Sequence, residues 1–258
     1  MPNSRTSFFA GLCLLLYAFH GGTTIAAPIV NAPMPIDRRL EVQVIQVSDT
    51  SGAQTAPLFG TIVQQGQIFG AIDTIWAQAG IDVSFKFRLT PYLDDFTFSG
   101  TPGSNNPRPT SDLNTIITRA NTAGGVLDPN IKVVNLFMVR IVPGFSQTSD
   151  NTSNGLAFLD ANGVTLWAGP NLASFEGGRD VIASVLAHEL GHNLGLDHIV
   201  ANENLMQAGG SPNDGERLNA SQIANVRDST LLVVIPEPNS LVLLIFGMSS
   251  LALRRRSR

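Results

Sequence analysis

Two hydrophobic rhythms alternate along this chain, and each predicts a different kind of element. Leu40 to Val47 places apolar residues at nearly every second position, as a strand with one buried face does. Thr61 to Ala79 changes to helical spacing, with Ile62, Ile68, Phe69, Ile72, Ile75 and Trp76 on a long helix that Gly80 ends. Ile81 to Phe87 returns to period two, with Ile81, Val83, Phe85 and Phe87 on one side. Strand, helix and strand in that order predict a right-handed crossover and a parallel pair.

From Asp94 to Ser111 the pattern dissolves into Gly, Pro, Ser and Asn, which predicts a long surface loop. Ser111 or Asp112 then caps a second helix through Ala120. Val133 to Val142 is almost continuously apolar and predicts a central strand buried on both faces. Gly155 to Asp160 and Val164 to Ala168 are two more apolar runs, separated by Ala161-Asn162-Gly163, a turn sequence that predicts a hairpin. A helix from Val181 to Leu196 divides into three sides. Ile182, Leu186, Leu190 and Leu194 face the core, Val181, Val185, His188 and His192 face a cleft, and Ser184, Ala187 and Gly191 let the sheet approach closely. Asn219 or Ser221 caps a last helix, with Ile223 and Val226 inward, and the domain ends near Ser229.

The chemistry lies on the third of these helices. Residues 188 to 198 read HELGHNLGLDH. His188 and His192 are four apart and therefore share one helix face, one turn above the other. Gly195 can take the left-handed conformation that ends a helix, so that His198 swings back as a third ligand. Three imidazoles leave one zinc position open, which is the donor count of a catalytic zinc. The chain has four histidines, and His20 lies in a segment expected to be removed, so every histidine of the mature protein falls in this motif. Glu189 is the helix's single charge. Burying a lone carboxylate is costly unless something beside it compensates, and a metal-bound water is such a partner.

The extended motif HExxHxxGxxH, followed eight residues later by Met206, resembles the metzincin clan of zinc endopeptidases, and its Gly195-Leu196-Asp197-His198 end is similar to matrixin-like and reprolysin-like bacterial members. Ile199 stands where those families usually have a serine or an aspartate. The resemblance implies an α/β catalytic domain with a twisted mixed sheet, one antiparallel edge strand, a zinc-binding active-site helix and a Met-turn. It assigns the zinc to His188, His192 and His198, the general base to Glu189 and the Met-turn to Met206. It makes Gly155, Leu156, Ala157 and Phe158 an exposed edge that holds an extended peptide substrate as an added strand. Ala208 occupies the place of the tyrosine that some members use as a zinc ligand. Asp and Asn residues in 148–154 and 160–162 are candidate ligands for structural calcium, as in several relatives.

The two ends change the expected location. Arg5, the apolar stretch Phe8 to Phe19 and Thr24-Ile25-Ala26-Ala27 have the parts of a secretory signal peptide over residues 1–27, handled by the Sec export machinery. Cys13, the single cysteine, departs with it, so the mature body contains no thiol and has to be held by its core. Pro236-Glu237-Pro238, an apolar stretch from Leu241 to Leu253 and four arginines close the chain. That order, within residues 231–258, resembles the PEP-CTERM sorting signal of Gram-negative bacteria, which implies an exosortase-type partner and delivery to the cell surface or an extracellular matrix. An ordinary tail anchor is the alternative.

Loss of Arg5, the four tail arginines and Glu237 would take the net charge from −4 to −8 over residues 27–235. An acidic body without basic patch or phosphate loop makes a poor nucleic-acid binder. The expected protein is a monomeric exported zinc endopeptidase with its catalytic domain at residues 28–230, acting on protein or peptide substrates. A zinc amidase acting on cell-wall peptides and a catalytically idle matrix-binding surface protein are the rivals.

Overall fold

The computed structural model describes residues 28–101, 107–146, 153–169, 175–176, 179–208 and 215–236. The expected signal peptide, the apolar tail with its arginines, and most of 148–154 lie outside them. No helix among the described residues is long and apolar enough to cross a membrane.

Strand β1 (Arg38–Ser48) buries Leu40, Val42 and Val44 in alternation. Helix α1 (Ile62–Ala77) follows, capped by Thr61, whose hydroxyl accepts from the Gln64 amide while the Gln64 side chain accepts from the Thr61 amide. This reciprocal box satisfies two amides that the helix itself leaves without partners. Gly80 (φ +70°) turns the chain back where any side chain would strike the Pro35 carbonyl, and β2 (Ile81–Phe87) pairs with β1 in parallel from Arg38↔Ile81. The expected crossover unit is present.

The described part of the segment expected to be a featureless loop carries structure. Strand β3 (Tyr92–Leu93) pairs with the end of β1, and helix α2 (Asp95–Ser99) is capped by Asp94, which accepts from the Thr97 amide at 2.6 Å. Arg108, 6 % exposed, donates to the carbonyls of Phe96 and Ile141 and pairs with Asp112 at 3.0 Å. A buried guanidinium organises this stretch, and that leaves no apolar periodicity to read. Helix α3 (Asp112–Ala123) runs three residues past the expected end, and its Ser111 cap makes no side-chain hydrogen bond.

Strand β4 (Val133–Met138) is buried along its whole length between β1 and β6, as a strand covered on both faces must be. It stops four residues before Val142, because the Val139 amide still reaches Leu166 but the Arg140 amide turns to Phe98. Asn135 is a polar residue inside this strand. Its amide group bonds Gln43, the Asp128 amide and Asn162, so its burial is compensated. Strands β5 (Asn154–Ala157) and β6 (Val164–Trp167) form the expected antiparallel hairpin, with β6 parallel to β4 and β5 last in the order β2-β1-β4-β6-β5. After the small pair β7 (Phe175–Glu176) and β8 (Arg179–Asp180) comes α4 (Val181–Asn193), which lies against α1 and bears on β5 and β6.

Helix α5 (Ala220–Arg227) begins at Asn219 with a second capping box, through Gln222, and buries Val226. The fold continues beyond Ser229. Strand β9 (Val233–Val234) pairs antiparallel with Arg39 and Arg38, and the Ile235 amide donates to Asp37. The packed structure therefore reaches past the expected boundary at residue 230, because β1 has an unfilled edge below the start of β4.

Candidate metal centre

Helix α4 ends in a turn whose hydrogen bonds dictate the position of the third histidine. The Gly195 amide donates to the His192 carbonyl and the Leu196 amide to that of Gly191, with Gly195 at φ +91°, which is a Schellman ending. The reversal points His198 back at the helix. Its Nε2 lies 3.1 Å from Nε2 of His188 and 3.1 Å from Nε2 of His192. Among the described residues this is the only group of three His, Cys, Asp or Glu side chains close enough to share an ion.

Backbone carbonyls set the tautomers. Nδ1 of His188 donates to the Leu205 carbonyl at 2.6 Å and Nδ1 of His192 to that of Leu196 at 2.7 Å. Both Nε2 atoms therefore present bare lone pairs to the centre. Burial pushes the His188 imidazole down to about 4 and lowers that of His192 as well, so both are neutral at ordinary pH. Lone pairs aimed at one another repel unless a cation lies between them. Tetrahedral zinc with bonds of about 2.0–2.1 Å would separate its nitrogens by about 3.3 Å, close to the two spacings from His198, and all three donor atoms lie within 4.8 Å of one another. The donor set fits zinc.

Met206 packs against Gly191 of the histidine helix, fully buried. A Cβ built on Gly191 would stand 2.5 Å from the Met206 sulfur, so the glycine is what admits the thioether. Asn204 holds that turn by accepting from the Met206 amide and by exchanging amide hydrogen bonds with Gln222 of α5. Ser184 donates to Glu216 at 2.7 Å. Ser184 and Gly191 thus admit Glu216 and Met206, not the sheet as their small size suggested. Residue size shows that something approaches but not what.

Glu189 is 7 % exposed and lies against β5, with its carboxylate accepting from the Ala157 amide. Burial raises its carboxyl to about 8, and the Ala157 hydrogen bond offsets only part of this. The strand's own pairing explains why that amide is available. The Phe158 amide donates to Gly163, and bonded pairs alternate in an antiparallel ladder, so Leu156 and Asn154 also bond β6 while Gly155 and Ala157 turn their backbone groups to the outer edge. Gly155, Leu156 and Ala157 are half-buried on β5, and Phe158 follows directly after it.

One organising residue had no obvious signal in the sequence. Asn193, the last residue of α4 and fully buried, donates to the carbonyls of Phe158 (3.1 Å), Ala161 (2.6 Å) and Gly163 (3.2 Å), tying the β5–β6 hairpin to the ligand helix. The Asp160 amide adds a bond to the His192 carbonyl. Asn162, one of the residues considered for calcium, spends its side chain on Asn135 and the Val133 carbonyl.

No protein-family model and no curated protein matches this sequence. Among solved structures, metalloproteinase-II from Bacteroides fragilis is similar at 16 % identity and a TM-score of 0.46, over 80 % of this chain and 57 % of that one. Archaemetzincin from Methanopyrus kandleri is similar at 15 % identity and a TM-score of 0.42, over 73 % of this chain and 95 % of that one. The chain spans little more than half the length of the Bacteroides protein.

Proposed function

We propose that this protein is a zinc-dependent endopeptidase of metzincin type. The observation that carries the proposal is the convergence of three imidazole Nε2 atoms, with Glu189, the chain neighbour of His188, buried against the edge strand β5. His188, His192 and His198 would hold the ion through their Nε2 lone pairs. When bound, zinc supplies the Lewis acidity that polarises a peptide carbonyl and makes water easier to deprotonate. With the ion in place its positive charge would bring the Glu189 carboxyl down from the value that burial alone sets. Glu189 then takes a proton from the attacking water and returns it to the departing amine, so that water is consumed and no bond to the protein forms. Met206 is assigned the Met-turn that supports the ligands.

The outward backbone groups of Gly155 and Ala157 offer an extended substrate a strand to pair with, and this puts the bond to be cut beside Glu189. Export by a Sec-type signal, retention by a PEP-CTERM-like tail and processing by an exosortase belong to the same proposal, and so does structural calcium. They are supported by the sequence of the two ends and of the loops. The test is digestion of casein and of a peptide library by purified protein, with new termini identified by mass spectrometry. Internal cleavage that a chelator stops and zinc restores is expected. Zinc-loaded protein that cuts no peptide, or releases only cell-wall fragments, would overturn the endopeptidase assignment.

A further inference from the structure

We propose that Gly155 is a positioning residue for Glu189: the missing side chain in the edge strand is the slot in which the carboxylate stands. The catalytic consequence rests on the peptidase assignment above, but the packing itself does not. A Cβ built on Gly155 would lie 2.5 Å from Cγ of Glu189, 2.8 Å from Oε1 and 2.9 Å from Cδ. All three are inside the closest approach that carbon atoms tolerate. Cγ is the second atom of a side chain rooted in a buried helix, so it has little freedom to step aside.

Backbone conformation gives no reason for glycine at this position. Gly155 is not among the residues with positive φ, and it pairs regularly with Leu166. Glycine in a strand is otherwise unfavourable relative to alanine, because it loses more freedom on folding and has nothing to pack. Space is the remaining explanation. Gly155 and Ala157 lie two apart and so share one face of β5. The first supplies the space and the second supplies the amide that Glu189 accepts from. Two alternate positions of one strand thereby fix both the reach and the direction of the carboxylate. A larger residue at 155 forces Glu189 out of this slot and away from the Ala157 amide. This differs from a role for Gly155 in lining the substrate, where the added methyl group would meet the peptide instead.

A double-mutant cycle separates these roles. Urea unfolding of the wild type, Gly155→Ala, Glu189→Ala and the double variant is measured in chelator and again with zinc. Gly155→Ala is expected to lower the midpoint when Glu189 is present and to be neutral or stabilising when residue 189 is alanine. An equal loss in both backgrounds, or none in either, overturns the proposal. Should Gly155→Ala not fold, the double variant has to fold as Glu189→Ala does, and failure there is equally fatal.

In the activity arm, Gly155→Ala keeps one zinc per chain and loses about 10²-fold in kcat, the cost of displacing a reacting group by about 1 Å. It costs nothing further when combined with Glu189→Gln. A loss confined to KM would assign Gly155 to the substrate and overturn the positioning role. If no variant and no wild type cleaves peptide, the peptidase assignment fails while the unfolding cycle still decides the packing.

Discussion

Replacement of Asn193 probes the joint between the ligand helix and the edge hairpin. Its Nδ2 is surrounded by three carbonyl oxygens, and its Oδ1 is buried without a partner, so only one orientation of the amide makes sense. In Asn193→Ala the carbonyls of Phe158 and Ala161 lose this donor, whereas that of Gly163 keeps the Phe158 amide. A buried acceptor left unmade costs about 1–3 kcal/mol. Removing the unpaired Oδ1 returns part of that, for a net loss of about 2–3 kcal/mol. In a domain of this size such a loss lowers Tm by roughly 5–10 °C. Asn193→Asp should be worse at pH 7, because an anionic oxygen then faces three carbonyls, at a cost of about 3–5 kcal/mol for an uncompensated buried charge. The assay is urea unfolding in chelator, which keeps metal binding out of the comparison. An Asn193→Ala variant within about 0.5 kcal/mol of wild type, the scatter of ordinary surface changes, would refute the reasoning. So would an Asp variant milder than the Ala variant.

Glu189→Gln keeps shape and zinc but removes the base, so metal content should be unchanged while kcat falls by about 10² to 10⁴, and near-normal turnover would rule out the mechanism. His198→Ala should weaken zinc binding by at least about 100-fold in a competition titration with a coloured chelator, since even partners behind the ligands are worth 10 to 100. Burial alone would raise the Asp94 carboxyl, but hydrogen bonds from Arg119 and Thr97 outweigh it and hold it below its ordinary value. Its contribution is therefore present above the ordinary carboxylate range and is lost as pH falls through the depressed value. Asp94→Asn should cost about 1–3 kcal/mol at pH 7, with the gap to wild type closing only in acid below about pH 4; a gap independent of pH would contradict this.

The parts of this molecule that were legible in the sequence are those in which cause and effect lie close together along the chain. Period two located β2 to the residue because one of its faces is buried, and the Asn-Gly turn located the β5–β6 hairpin. The histidine cluster was legible for the same reason, since all its members fall within eleven residues. The α1 capping box is local in the same way, since Thr61 and Gln64 stand three residues apart. The partners of the site were hidden because they are main-chain atoms. Carbonyls of Leu196 and Leu205 aim two imidazoles, and the Ala157 amide holds Glu189, yet any residue type can supply those groups. Asn193 was hidden because its three acceptors come from a hairpin some thirty residues away.

Pairing of β9 with the first residues of β1 has a mechanical consequence. The Ile235 amide bonds Asp37, so the outgoing strand leaves beside the start of β1. Tension that draws β9 away from β1 would open its bonds one at a time, like a zipper, instead of loading them together in shear. The chain ahead of β1 is held differently: Ile29 and Glu216 exchange hydrogen bonds, the Met34 amide donates to Ala77, and Ser184 of the histidine helix also grips Glu216. A pull on the outgoing side would peel the last strand alone, whereas a pull on the incoming side would reach the histidine helix through Glu216.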